Sequence, residues 1–201
     1  LYQELSRKGI TAYKADELMR SPEAQDTEIQ HVIRESKIAI VVLSNNYASS
    51  TWCLDELVEI IKCKKEIGLK VIPIFYGVDP GRVKNQIPDL VKTFKKMYTV
   101  DKQEKWVQAF SIVNQLLGLH SRDWGSDAEL IQKMVDLVSV RLNITPKTIS
   151  PSVLATATDN IHTQLADAPS SCNWKHDVFL SFRGNDVRRT LVSYLYQELS
   201  R

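Results

Sequence analysis

The stretch Thr51-Trp52-Cys53-Leu54-Asp55-Glu56-Leu57 sets an indole, a thiol and two carboxylates within seven residues. Glu56 falls early in a helix expected to begin near Ser49-Ser50-Thr51, where the helix dipole favours a carboxylate. By position alone it is either a working acid or a surface acid suited to the dipole. Trp52 stands four residues earlier, one helical turn away, so its ring either stacks on a ligand beside the acid or caps the core. Cys53 is either a nucleophile or a small buried helix residue. A second group, Ser181-Phe182-Arg183-Gly184, ends an apolar run. Ligands in doubly wound sheets sit beyond the carboxyl ends of strands, which suits Arg183 and the backbone at Gly184 to a pyrophosphate or ribose. The plainer alternative is a turn permitted by Gly184, with Arg183 paired to an acid such as Asp186. Neither a G-x-G-x-x-G fingerprint nor a phosphate loop occurs, which disfavours hydride transfer and ATP hydrolysis by those routes. Asp79, in the Gly77–Val83 turn, reads as a turn or helix-cap residue.

These residues need a scaffold, and hydrophobic patterning supplies one. Ile10–Lys14, Ile38–Ser44, Val71–Val78 and Asp177–Phe182 are short apolar runs rich in β-branched residues. They alternate little, as expected of strands buried on both faces. Between them, Leu54, Leu57, Val58 and Ile61 follow helical spacing, as do Leu130, Met134, Leu137 and Val138. Trp106, Phe110, Val113 and Leu117 mark another apolar face, and residues 28–35 a shorter, more polar helix. Strands alternating with helices predict parallel crossovers and a helix-covered sheet.

Residues 145–173 break that rhythm with Pro146, Pro151, Pro169 and many Ser, Thr and Ala, and read as a linker. The heptapeptide LYQELSR occurs at Leu1–Arg7 and again at Leu195–Arg201. The interval is domain-sized, far longer than a solenoid repeat of roughly 20 to 50 residues. Leu191, Leu195 and Leu199 line a helix after the 177–182 strand, so residues 1–7 are expected to be the back half of the same kind of helix. The expected organisation is a domain in two parts, 1–144 and 174–201, joined by the 145–173 linker. It arises from a window on a tandem array or from a rotated order, with the two heptapeptides competing for one groove.

A chain of 201 residues that is 43% hydrophobic and 25% charged can bury a sizeable core. The net charge of +2 leaves no basic footprint for nucleic acid or anionic lipid, and the three cysteines make no disulfide framework. The apolar runs reach about half the roughly 20 residues of a membrane span. Neither a nucleic acid nor a membrane is therefore expected as a main partner.

Read in rotated order, the blocks DVFLSFRGNDVRRTLVSYLYQEL, KGITAY, IAIVVLSNNYASSTWCLDELVEI, VIPIFYGVDPGRVKNQ and SRDWGSDAELIQKMV resemble a plant Toll/interleukin-1 receptor (TIR) domain. The resemblance implies a flavodoxin-like α/β fold with a five-stranded parallel sheet and helices on both faces. It puts the short fifth strand near Leu117–Leu119. It further implies an NAD+ nucleosidase that cleaves the nicotinamide–ribose bond on self-association, in plant innate immunity and cell-death signalling. On this alignment Glu56 is the catalytic glutamate, a carboxylate that stabilises charge building on the ribose or hydrogen-bonds its hydroxyls. Phe182, Arg183, Gly184 and Trp52 bind the nucleotide, Trp52 by stacking on nicotinamide or adenine. NAD+ is then a substrate, and no cofactor or metal is implied. The implied partners are homotypic or heterotypic TIR domains, in a homo-oligomer when active, in the cytoplasm and also the nucleus.

Beside Pro88 and Asp89, which replace the family's frequent Gly-Ser, two features depart from the family pattern. The loop LMRSPE has Ser21 where relatives carry glycine, and Ser193-Tyr194 replaces a Ser-His pair used for self-association. They favour an alternative, a non-catalytic TIR module that recruits or regulates other TIR-containing receptors, whereas WCLDEL and SFRG favour the enzyme. A phosphoacceptor receiver is disfavoured because Ser44-Asn45-Asn46, not Asp, follows the central apolar run.

Overall fold

The apolar runs become the strands of one parallel sheet. The computed structural model describes residues 10–14, 22–79, 81–83, 86, 92, 94, 97–143 and 174–183. Within them the strands are β1 (Ala12–Lys14), β2 (Ser36–Leu43), β3 (Lys70–Phe75), β4 (Leu119–His120) and β5 (His176–Phe182), in the spatial order β1-β5-β2-β3-β4. The strand latest in the chain thus lies inside the sheet, hydrogen-bonded to β1 on one side and β2 on the other. With β5 taken as first, the order becomes the 2-1-3-4-5 of flavodoxin-like folds, and the switch point falls between β5 and β2.

Among the described residues, the helices α1 (Pro22–Arg34), α2 (Thr51–Glu66), α3 (Val100–Gln115) and α4 (Asp127–Arg141) accompany the sheet. Three begin at hydroxyl caps. The Ser50, Thr99 and Ser126 side chains accept from the backbone N–H of Cys53, Lys102 and Glu129, satisfying donors that a helix start leaves open.

The period of two along each strand sorts the core onto two faces. Ala39, Val41, Leu43 and Phe179 join the apolar stripes of α1, α2 and α3 on one face. Ile38, Ile40, Val42, Val178, Leu180 and Phe182 join Leu130, Met134 and Val138 of α4 on the other. Both faces are covered, which is why the strands show little alternation in sequence.

The expected strands are all present, with shifted ends. The fifth is Leu119–His120. The polar helix expected over residues 28–35 extends back to Pro22, a residue whose fixed φ suits a helix start. Leu117 does not continue the α3 stripe. The helix ends at Gln115, Leu116 is extended with ψ 146°, and Leu117 is 72% exposed. Both copies of LYQELSR, Ser21, Ser193-Tyr194, Gly184 and the 145–173 segment lie outside the described residues.

Candidate active site

Glu56 is buried, with 4% exposure, so the surface-acid alternative does not hold. It sits on the second turn of α2, whose start is set by the Ser50 cap. Helical i, i+4 spacing brings Trp52 alongside, and the indole Nε1 donates to Glu56 Oε1 at 2.5 Å. The second oxygen is met from the sheet. Ser181 Oγ, on β5, donates to Glu56 Oε2 at 2.7 Å. Ser181 Oγ is also 2.9 Å from the hydroxyl of Tyr47, which donates to the Cys53 carbonyl at 3.1 Å.

Tyr47 lies in a 3-10 turn directly after β2, and both Tyr47 and Ser181 are fully buried. Burial, and then the charges of Cys53 and Glu56, hold the Tyr47 phenol well above its usual pKa, so it stays a neutral donor. A buried carboxylate is costly without donors, and this one has them from its own helix and from the central strand.

The remaining sequence candidates fall around this centre. Cys53 is 3% exposed, with Sγ 3.7 Å from the Phe182 carbonyl, and so takes the place of a small buried helix residue. Arg183 Nη1 donates to the Asn46 carbonyl at 3.2 Å, linking the end of β5 to the loop after β2. Phe182 points the other way. Its ring is buried in the α4-side core, whereas its neighbour Ser181 faces α2, so the structure joins Trp52 to Glu56 but sends the Phe182 side chain elsewhere. Gly184 lies outside the described residues.

A cavity of about 220 Å³ opens beside the acid, lined by Gln30, Trp52, Asp55, Glu56, Glu59 and Lys102 among others. Its charges are largely paired. Asp55 accepts from Trp106 Nε1 at 2.8 Å and from Lys102 Nζ at 3.0 Å, while Glu59 meets Arg34 at 2.8 Å. Asp79 is elsewhere, in an open depression with Gly77, Arg82 and Arg122. There it accepts from the Gly81 N–H and pairs with Arg122, whose hydrogen bond holds its carboxyl below the usual range. It is a turn residue, as expected. No cluster of three or more metal-ligating side chains occurs among the described residues, and no helix there is long and apolar enough to cross a membrane.

Sequence reading singled out neither Ser181 nor Tyr47 for a role. The available signal was weak: one hydroxyl in the apolar run DVFLSF, and an aromatic after Asn45-Asn46. Ser181 meets Glu56 across 125 positions of chain and Tyr47 across 134, contacts legible only in three dimensions.

Comparison with known proteins accords with this architecture. The family model for the TIR domain matches residues 1–157. The chain is 45% identical over 147 residues to the Arabidopsis thaliana disease resistance protein RPS6, which covers 72% of this chain and 13% of that protein. It is 44% identical over 149 residues to the disease resistance-like protein DSC2 of the same plant, covering 73% and 12%. The chain therefore spans about an eighth of the length of these relatives. Among solved structures, the TIR domains of the activated Roq1 resistosome, which directly recognises the pathogen effector XopQ, align with a TM-score of 0.58 and 33% identity. That alignment covers 67% of this chain and 86% of that one. The family match stops short of β5, yet β5 occupies the middle of the sheet. With a family model covering most of its length and a parallel sheet in flavodoxin-like order, the chain belongs to the TIR domain family.

Proposed function

We propose that this domain cleaves the N-glycosidic bond between nicotinamide and ribose in NAD+, with Glu56 as the catalytic carboxylate, and serves plant immune signalling. The observation that carries the reading is the buried Glu56 carboxylate, held by Trp52 and Ser181 at the rim of a cavity. As the C–N bond breaks, nicotinamide leaves as a neutral ring with the bonding electrons, and positive charge builds on the ribose. Water then adds to the sugar carbon and releases a proton, giving ADP-ribose and nicotinamide. A carboxylate beside that carbon stabilises the cationic state, as in glycoside cleavage. No second carboxylate is required, because the departing ring needs no proton.

The cavity is smaller than the roughly 300 to 1,000 Å³ of pockets that enclose a whole small ligand. It suits one end of a dinucleotide, and a neighbouring TIR domain completing the site would account for activity on self-association. The names of the relatives, disease resistance proteins, support the immune role. The pairing of β5 with both β1 and β2 supports reading that strand as part of the same domain.

Nicotinamide release by the purified chain at high concentration or on a crowding template tests the reading. The parent is expected to release nicotinamide and Glu56→Ala, folded and assembled as the parent, to release none above background. No release by the parent under any assembled condition leaves the non-catalytic interaction module.

A further inference from the structure

Glu56 Oε2, Ser181 Oγ, the Tyr47 hydroxyl and the Cys53 carbonyl form a line of oxygens with contacts of 2.7, 2.9 and 3.1 Å. Ser181 and Tyr47 are both fully buried, so bulk water does not compete for these bonds. Ser181 has one proton, and giving it to Glu56 leaves its lone pairs to accept from Tyr47, whose single proton is shared between Ser181 Oγ and the Cys53 carbonyl. The Tyr47 phenol keeps its proton for that purpose, as its burial requires. The hydroxyls come from two strand ends: Ser181 pairs in register with Val41, and Tyr47 follows β2 by four residues.

We propose that Ser181 and Tyr47 are positioning residues for Glu56, a hydroxyl pair that fixes the orientation of the carboxylate only when β5 is seated between β1 and β2. The chain order gives this arrangement its consequence. The acid comes from α2, and the hydroxyl that aims it comes from a strand more than a hundred residues later, so the site is set by insertion of that strand. Ser181 acts through Glu56 and touches the reaction only by way of it. The catalytic meaning of the pair rests on the proposed NAD+ chemistry; the hydrogen-bond relationship does not.

The test reads Glu56 directly. The full chain, labelled with carboxyl-¹³C glutamate, is titrated by NMR, and the Glu56 signal is assigned by its loss in Glu56→Gln. Removing a donor to the ionised form disfavours that form, so Ser181→Ala is expected to move the Glu56 midpoint upward by about one pH unit, the size of one charge-assisted hydrogen bond. Ser181→Cys, close in volume and a weak donor, is expected to fall between parent and alanine, and it carries the test should the alanine variant not fold. Tyr47→Phe is expected to shift the midpoint less than Ser181→Ala. The double variant should match Ser181→Ala alone, since Tyr47 works through Ser181.

Other charged groups facing the cavity are Asp55 and Glu59 from α2 and Lys102 from α3, with Arg183 at the end of β5 bonded to Asn46; none is altered in these variants. If the parent turns over NAD+, Ser181→Ala should lower kcat about tenfold with KM little changed, and raise the acid limb of the pH profile. An unmoved Glu56 midpoint in the folded Ser181 variants overturns the proposal, even where activity falls. An upward shift with no turnover by the parent upholds the positioning role and overturns the nucleosidase reading instead.

Discussion

The backbone N–H of Thr11 donates to Asp177 Oδ2 at 2.8 Å, joining two residues 166 positions apart in the chain. Thr11 Oγ1 lies 3.2 Å from the same oxygen, and Lys37 Nζ bonds Asp177 Oδ1 at 2.7 Å. One carboxylate, 6% exposed, thereby ties the entry of β5 to the chain leading into β1 and to the second residue of β2. It fixes the register that places Ser181, four residues on, over α2. Asp177→Ala leaves these donors without their acceptor and is expected to cost about 2 to 3 kcal/mol. Asp177→Asn, which keeps an acceptor, should cost less. Urea unfolding checks both, as a lower midpoint with unchanged m.

A parallel anchor joins α2 to α3. The indole of Trp106, fully buried, donates to Asp55 Oδ1 at 2.8 Å and meets the rings of Phe94 and Tyr98 edge-on at centroid distances of 5.5 and 5.0 Å. Its neighbour Glu56 depends on α2 holding this place. Trp106→Phe keeps a ring and removes the N–H, for an expected loss of about 1 to 2 kcal/mol. Trp106→Ala also empties the site and should cost about 3 to 5 kcal/mol. Thermal unfolding of the two variants separates the hydrogen bond from the packing.

How far the site could be read in advance follows from the range of each interaction. The start of α2 was legible because Ser50, its cap, and the Leu54, Leu57, Ile61 stripe are local features. The Trp52–Glu56 pair was legible for the same reason, being one helical turn apart. The β5 strand was legible as an apolar run, but its place between β1 and β2 was not, because periodicity carries no strand order. Ser181 was hidden by distance: nothing local in DVFLSF indicates an acid 125 positions away. Phe182 shows the converse, since adjacency to Ser181 in a strand means the opposite face of the sheet.

The shortest strand was beyond pattern altogether, and one glycine explains how it docks. β4 is only Leu119–His120, paired with Ile74 and Phe75 of β3, and His120 stacks on the Phe75 ring at 4.8 Å. A Cβ at Gly118 would overlap the Pro73 carbonyl oxygen and stand 2.9 Å from Pro73 Cγ. Pro73 lies inside β3, where neither ring nor backbone can withdraw easily. Gly118→Ala is therefore expected to push β4 off the sheet edge at a cost of about 1 to 3 kcal/mol. Amide hydrogen exchange should show lost protection at Leu119 and His120, with the β2–β5 pairing unchanged.

Alkaline pH offers a test of the α1–α2 junction. Cys63 is fully buried, 3.6 Å from Glu59 Oε1, which also accepts the Arg34 ion pair at 2.8 Å. Burial, and then the Glu59 charge, push the thiol up to about 12 from its ordinary value of 9.0. The folded state therefore holds the Cys63 proton more tightly than the unfolded chain does. Its contribution to stability is complete below about pH 9 and is lost as pH rises toward 12. Cys63→Ala has no thiol to ionise and should be less stable than the parent near neutrality by about 1 to 2 kcal/mol, for the lost packing. Above pH 9 the two urea midpoints should converge. Tyr47, also held protonated by burial, is common to both proteins, so the convergence isolates Cys63. Midpoints that stay a constant distance apart between pH 8 and pH 11 would show that the thiol ionises as readily in the folded protein as in the unfolded chain.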